Sequence, residues 1–280
     1  MKKLIKLLFL LPIISSLSLF GQNYRFVYSV NFKKTLSSDR YWQDNVVTDI
    51  SENTIKSYSY EFIVYDSLNK TNPQNGIFYA NPKFEERFIK NLKTGKTTNY
   101  ENFLVDFFSY ESNDKMDWQL MNDTKTIADY KVQKAKTTFG NREWIAWFAS
   151  DIPFQYGPYK FCGLPGMILE IADTNEDYIF SLSQIKKLPG EYDTTSFLET
   201  YYDDKPLPIK LEQIKKLKIN YFLDPYKEFK SGQKKGFFQD DEGNTIEKPN
   251  FNKMTTELQK SIKDNNNPIE LDKAVNYPEK

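Results

Sequence analysis

The chain has 280 residues, with 38 basic and 38 acidic side chains, no histidine and one cysteine. A formal charge of zero is a poor composition for a nucleic-acid binder, which needs a clustered positive surface. The missing histidine removes Ser-His and Cys-His nucleophile activation and imidazole ligation of a metal, and Cys162 alone cannot close an internal disulfide.

The 22 Phe and 19 Tyr favour pleated, half-buried surfaces, so the composition predicts a β-rich fold. Residues 1–21 read as a Sec signal peptide: Lys2, Lys3 and Lys6 precede a short apolar run, and Gly21 offers a cleavage point before Gln22. The apolar run falls short of the roughly 20 residues that span a membrane. No cysteine lies near the cleavage point, so nothing supports lipid attachment there. The mature chain is thus expected to be exported, periplasmic or secreted, without a transmembrane segment. Its expected organisation is one β-rich domain over residues 22–230, then a flexible segment, a short helix and a tail over 231–280.

Residues 24–30 (YRFVYSV) alternate and predict a first strand. Residues 32–57 read as a long polar connection with a short helix, anchored by Trp42, Val46 and Val47. Residues 58–67 (YSYEFIVYDS) predict a strand, residues 68–75 turns, and residues 77–80 a short strand. Residues 84–92 and 96–103 flank Lys93-Thr94-Gly95 as a hairpin, and an apolar run follows over 103–110.

Residues 122–125 (NDTK) read as a turn, residues 126–138 as a long extended piece, and Gly140-Asn141 as a tight-turn pair. Residues 142–149 (REWIAWFA) then form a strand with Trp144, Ala146 and Phe148 on one face and Ile145 and Trp147 on the other. Both faces are apolar, so part of this strand is covered on both sides. Pro153 and Pro158 break the following connection. Leu164-Pro165-Gly166-Met167 fits a type II turn, residues 167–172 a buried strand, and residues 178–185 its antiparallel return. Residues 209–229 show helical spacing interrupted at Pro225. Residues 231–251 read as mobile, 252–263 as a short helix, and 265–280 as an Asn- and Pro-rich tail.

The string GLPGMILEI, residues 163–171, resembles the defining motif of the GLPGLI family of exported Bacteroidota proteins. Further pieces resemble that family in the same order: W-x-L at Trp118, TxxIADYKVxKA from Thr124, AWF at Ala146, DIP at Asp151 and NPIEL at Asn267. Met167 stands where the motif has Leu, a volume-conserving swap. The resemblance implies export and no established activity. The segment order also resembles the half-open antiparallel barrel of periplasmic lipoprotein-carrier proteins. The expected fold is therefore mainly β (α+β), a large antiparallel twisted sheet or half-open barrel with C-terminal helices.

No catalytic, metal-binding or cofactor-binding residue is expected. The candidate ligand-binding residues are Trp144, Trp147, Phe148, Phe154, Tyr156 and Leu164, around an apolar space between the GLPG turn and the Trp-bearing strand. Ordinary core is the plain alternative for them. Cys162 reads as a buried small hydrophobe. The carboxylate pairs Glu85-Glu86, Asp203-Asp204 and Asp240-Asp241 read as solvated surface; Asp151 and Glu170 are the better polar candidates. The expected role is an exported non-enzymatic envelope protein that binds an apolar ligand or an envelope protein. An accessory component of an outer-membrane transport or secretion system and a carboxylate-dependent hydrolase are the alternatives.

Overall fold

A computed structural model describes residues 23–35, 37–233, 236, 238 and 249–279. The expected signal peptide and much of the expected mobile segment lie outside the described residues. Strand β1 (Asn23–Phe32) follows its alternation: Phe26, Tyr28, Val30 and Phe32 are buried on one face. It pairs with β2 (Trp42–Ile50), which lies where the sequence suggested a polar connection. Valines 46 and 47 are buried on opposite faces there, which a covered strand satisfies and a solvent loop does not.

Strand β3 (Thr54–Ser59) ends early, and residues Glu61–Thr71 form helix α1 rather than continuing a strand. Phe62 and Asp66, one helical turn apart, are its buried positions, and Phe62 stacks on Phe197 at 5.4 Å. Residues 77–80 form no strand; Asn69 of α1 ties them down, donating to the Phe78 carbonyl and accepting from its N–H. The expected hairpin forms as β4 (Arg87–Asn91) and β5 (Thr97–Phe103), followed by β6 (Asp106–Ser112).

Residues 122–125 belong to β7 (Gln119–Ile127) at a register shift, and the turn to β8 (Tyr130–Phe139) falls instead at Ala128, whose φ is +49°. Gly140 and Asn141, at φ +60° and +57°, connect to β9 (Arg142–Ala149). Strands β10 (Met167–Asp173) and β11 (Tyr178–Leu188) follow as expected. After a five-residue π-turn at Thr195–Glu199 come the short β12 (Leu207–Pro208) and helices α2 (Leu211–Leu223), α3 (Lys227–Lys230) and α4 (Phe251–Asp264).

Among the described residues twelve strands form one sheet in the order β12-β6-β5-β4-β3-β2-β1-β11-β10-β9-β8-β7, antiparallel except for the β12–β6 pair. The fold is thus mainly β with a large open sheet and a few helices. One register row runs Phe26, Thr48, Ser57, Phe88, Asn99, Tyr110 and defines the face carrying the main core. The proline-punctuated loop covers this face, where Thr48 donates its hydroxyl to the Gly157 carbonyl (3.1 Å); Tyr28 donates its own to the Ile168 carbonyl of β10 (2.8 Å). On the opposite face Val47 and Tyr58 pack under Phe62, Phe197 and Leu198.

The GLPG turn is tighter than a type II turn. Gly166 N–H donates to the Leu164 carbonyl across Pro165 (2.8 Å), while Met167 N–H goes to Ile152 (3.2 Å). A Cβ at Gly166 would lie 2.3 Å from the Ala149 carbonyl oxygen, so glycine is required by close approach of two backbones.

Candidate functional site

The six candidate residues occupy two environments. Trp144, Phe148 and Leu164 are fully buried, and Phe161 fills the space over Trp144 with ring centroids 4.6 Å apart. Trp144 spends its indole N–H on the Phe139 carbonyl (3.0 Å). Phe154 is half-buried, edge-on to Tyr24 and Phe26, and Tyr156 is bridged to Cys162. Trp147 lies on the other face of β9 beneath Lys125 and Lys134. Asp151 is exposed, and Glu170 pairs with Lys125 on the solvent face at 2.6 Å, so these two acids do not converge. Cys162 is half-buried rather than buried, and its sulfur accepts from Lys90 (3.3 Å).

A cleft of about 810 Å³ opens elsewhere, and none of the six lines it. It is lined by residues 80–87 at the entry to β4, by Glu101 of β5 and Tyr110 of β6, by Arg87, Tyr100 and Asn102 at the other face, and by α2 and residues 265–277 of the expected tail. That tail is anchored rather than loose: Asn267, Ile269 and Glu270 are buried. Arg142 at the start of β9 reaches them through its guanidinium, donating to the Ile269 (3.1 Å) and Pro268 (3.0 Å) carbonyls and to Asn267, while also holding Asp173 and Asp177.

The cleft floor is a network of buried charges. Glu270 accepts from the Tyr159 hydroxyl and from Lys160 (2.7 Å), and forms an ion pair with Lys273 at 2.5 Å. Asp114 faces the same two lysines at 3.4 and 3.6 Å. Burial pulls the Lys160 ammonium down against the opposing pull of Glu270. Glu101 of β5 pairs with Lys218 of α2 across the wall.

Glu86 differs from these groups. It immediately precedes β4, lines the cleft half-buried, and makes no hydrogen bond or ion pair among the described residues. Desolvation first and the Glu270 charge second push its carboxyl up to about 7. The neighbouring Arg87 points to the opposite face by strand alternation. There its guanidinium donates to Asn102 and to the Phe197 carbonyl (3.4 Å), and rings of Phe62, Phe107 and Tyr201 surround it at 5.0–5.2 Å. Desolvation lowers it to about 10.

The Glu85-Glu86 pair, read from sequence as solvated surface, therefore divides: Glu85 is exposed and Glu86 faces the cleft. Asp203 and Asp204 are exposed as expected, and Asp240-Asp241 lie outside the described residues. The only local signal for Glu86 was its place one residue ahead of an alternating strand. Glu270 and Lys160 carried no signal, because each is defined by a partner 110 residues away.

Comparison with known proteins gives a short family match and a likeness of fold. A family model described as "Protein of unknown function (Porph_ging)" matches residues 140–170, which run from the β8–β9 turn through the GLPG turn into β10. The solved structure titled "Structure of PNGF-II in C2 space group" is similar at a TM-score of 0.50 and 15% identity, over 70% of this chain and 32% of that one. "Structure of PNGF-II in P21 space group" gives 0.49 and 14%, over 70% and 33%. This chain thus spans about a third of those chains, and the likeness at this identity concerns fold alone. No curated protein matches.

Proposed function

We propose that this chain is an exported binding protein whose cleft takes a small polar molecule. One observation carries the reading: the cleft of about 810 Å³ holds a free carboxyl, Glu86, near two ion-pair networks, Glu270 with Lys160 and Lys273 and Glu101 with Lys218. A large concave site with a few convergent polar groups is the usual form of a ligand pocket. The charged lining turns the expected apolar ligand into a polar one, because an apolar molecule would leave Glu86 desolvated and unsatisfied. Export is supported by the leader-like character of residues 1–21. N-terminal sequencing of protein recovered from native envelope should begin at Gln22, and an intact N-terminus would remove that part of the reading.

Hydrolysis by paired carboxylates is less well supported. It needs a second free acid beside Glu86, and Glu270 is taken up by Tyr159, Lys160 and Lys273. A partner protein is favoured by a separate observation. Val64, Leu68, Ile77, Phe78 and Tyr79 form exposed apolar surface around α1, each between 39 and 56% exposed. Mass spectrometry of material co-purifying from native envelope separates the two readings. A small polar molecule displaced by dialysis supports the cleft; a stoichiometric protein with an empty small-molecule fraction supports the apolar surface.

A further inference from the structure

We infer that the ligand of this cleft carries a carboxylate and that Arg87 is the side chain that receives it; this rests on the cleft being a binding site. The first argument compares the buried cations. Five basic side chains are buried among the described residues: Arg25, Lys56, Arg87, Arg142 and Lys160. Four of them hold a carboxylate at 3.0 Å or less: Arg25 with Asp49, Lys56 with Glu199, Arg142 with Asp177 and Lys160 with Glu270. Arg87, only 5% exposed, has no carboxylate partner among the described residues. A buried charge without a counter-ion is costly. Arg87 lines the cleft, so its counter-ion can arrive from solvent.

The second argument is the state of its hydrogen-bonding fork. Arg25 shows the filled form: Nε and Nη2 each donate to one oxygen of Asp49 at 2.7 Å. In Arg87 the same fork is half used. Nη2 donates to the Asn102 amide oxygen, and Nε is buried with no hydrogen-bond partner. Asn102 is half-buried and lines the cleft as well. Its amide holds one of the two places a carboxylate takes, and by turning aside it leaves both to the ligand. The rings of Phe62, Phe107 and Tyr201 at 5.0–5.2 Å cushion the charge but do not replace a carboxylate.

The third argument is the balance of the lining. Six cationic side chains, Lys34, Lys83, Arg87, Lys215, Lys218 and Lys273, stand against four acids, Glu85, Glu86, Glu101 and Glu270. Lys218 is committed to Glu101 and Lys273 to Glu270. Lys215 reaches only Glu212, at 3.8 Å, and Lys34 and Lys83 make no ion pair among the described residues. With every acid ionised the lining is still positive, which draws an anion in. Glu86 lies on the opposite face from Arg87 by strand alternation and does not compete for the fork. A neutral ligand would leave Arg87 without its counter-charge.

Benzoate, benzamide and phenyl phosphate test this by heteronuclear NMR titration of the mature chain, labelled at its arginine nitrogens. The arginines are Arg25, Arg40, Arg87 and Arg142, so the Arg87 Nε–H signal is assigned by its loss in Arg87→Lys. Benzoate is expected to bind tightest and to move that signal. Arg87→Gln should weaken benzoate at least tenfold and leave benzamide unchanged. Asn102→Asp supplies the fork with a carboxylate from within the protein, so it too should weaken benzoate at least tenfold while raising the thermal midpoint. Circular dichroism checks the fold of both variants, and Asn102→Asp carries the test if Arg87→Gln does not fold. If benzamide binds as tightly as benzoate and the Arg87 signal stays still, the inference is overturned while the cleft remains a site. Phenyl phosphate binding tighter than benzoate at Arg87 overturns the choice of a carboxylate. If no probe binds at millimolar concentration and no small molecule co-purifies, both readings fall.

Discussion

Glu86 and Gly166 show how much one side chain depends on its surroundings. The folded protein holds the Glu86 proton up to about 7, above the usual carboxylate range, so the native state binds it more tightly than the unfolded chain does. Its contribution is fully present below about 4.5 and is lost as the pH rises through about 7. Glu86→Gln should therefore flatten this part of the profile. Urea denaturation at pH 8 should find the variant more stable than the parent by about 1–3 kcal/mol, and at pH 4 nearly equal. Equal stability at both pH values would mean that the carboxyl is not desolvated. Gly166 answers to sterics. Gly166→Ala drives a methyl into the Ala149 carbonyl and should cost about 2 kcal/mol or more, whereas Gly190→Ala meets open space and should stay within about 0.5 kcal/mol. Thermal melts of the two variants check the contrast.

At the scale of elements, legibility depended on how local the determinant was. β9 and β10 were legible because their apolar positions form unbroken buried faces. α1 was not: YSYEFIVYDS satisfies a strand period as well as a helical one, and the choice is made by Phe197, which packs Phe62 from far along the chain. The turn between β7 and β8 was misplaced by a few residues because NDTK has turn composition, yet pairing with β8 extends the strand through it. The tail is the strongest case. NPIEL has polar ends, but its Glu270 closes a buried charge network and its neighbours receive Arg142. Glu270→Ala strands Lys160 beside Asp114 alone and should cost about 3 kcal/mol in urea denaturation. The exposed Lys125–Glu170 pair provides the contrast, since Lys125→Ala should cost less than about 1 kcal/mol. Equal costs would mean that the tail is not anchored through this network.

For the whole molecule, the sheet order places β1 and β11 in the interior and leaves β7 at an edge with mostly exposed side chains. Local opening should follow that order. Native-state hydrogen exchange is expected to be slowest in β1, β10 and β11 and fastest among the ladder strands in β7. Protection of β7 equal to that of β1 would point to an edge covered by another chain. The cleft also belongs to this scale. It needs the wall of β5 and β6, the helix α2 and the returning tail at once, and no shorter piece of the chain contains it.

What the sequence determined by itself was the β-rich class, the Trp-bearing strand, the GLPG turn with its buried strand, and the C-terminal helices. Each of these depends on periodicity or turn chemistry within about ten residues. The tertiary structure decided where the free carboxyl lies. GLPG proved to be a backbone crossing that needs a glycine, and the aromatic space beside it is filled by Phe161. The charged cleft was decided by strands, helix and tail brought together across the chain. A carboxylate becomes distinctive only when desolvation and the pairing of its neighbours leave it alone, and both are properties of the folded state.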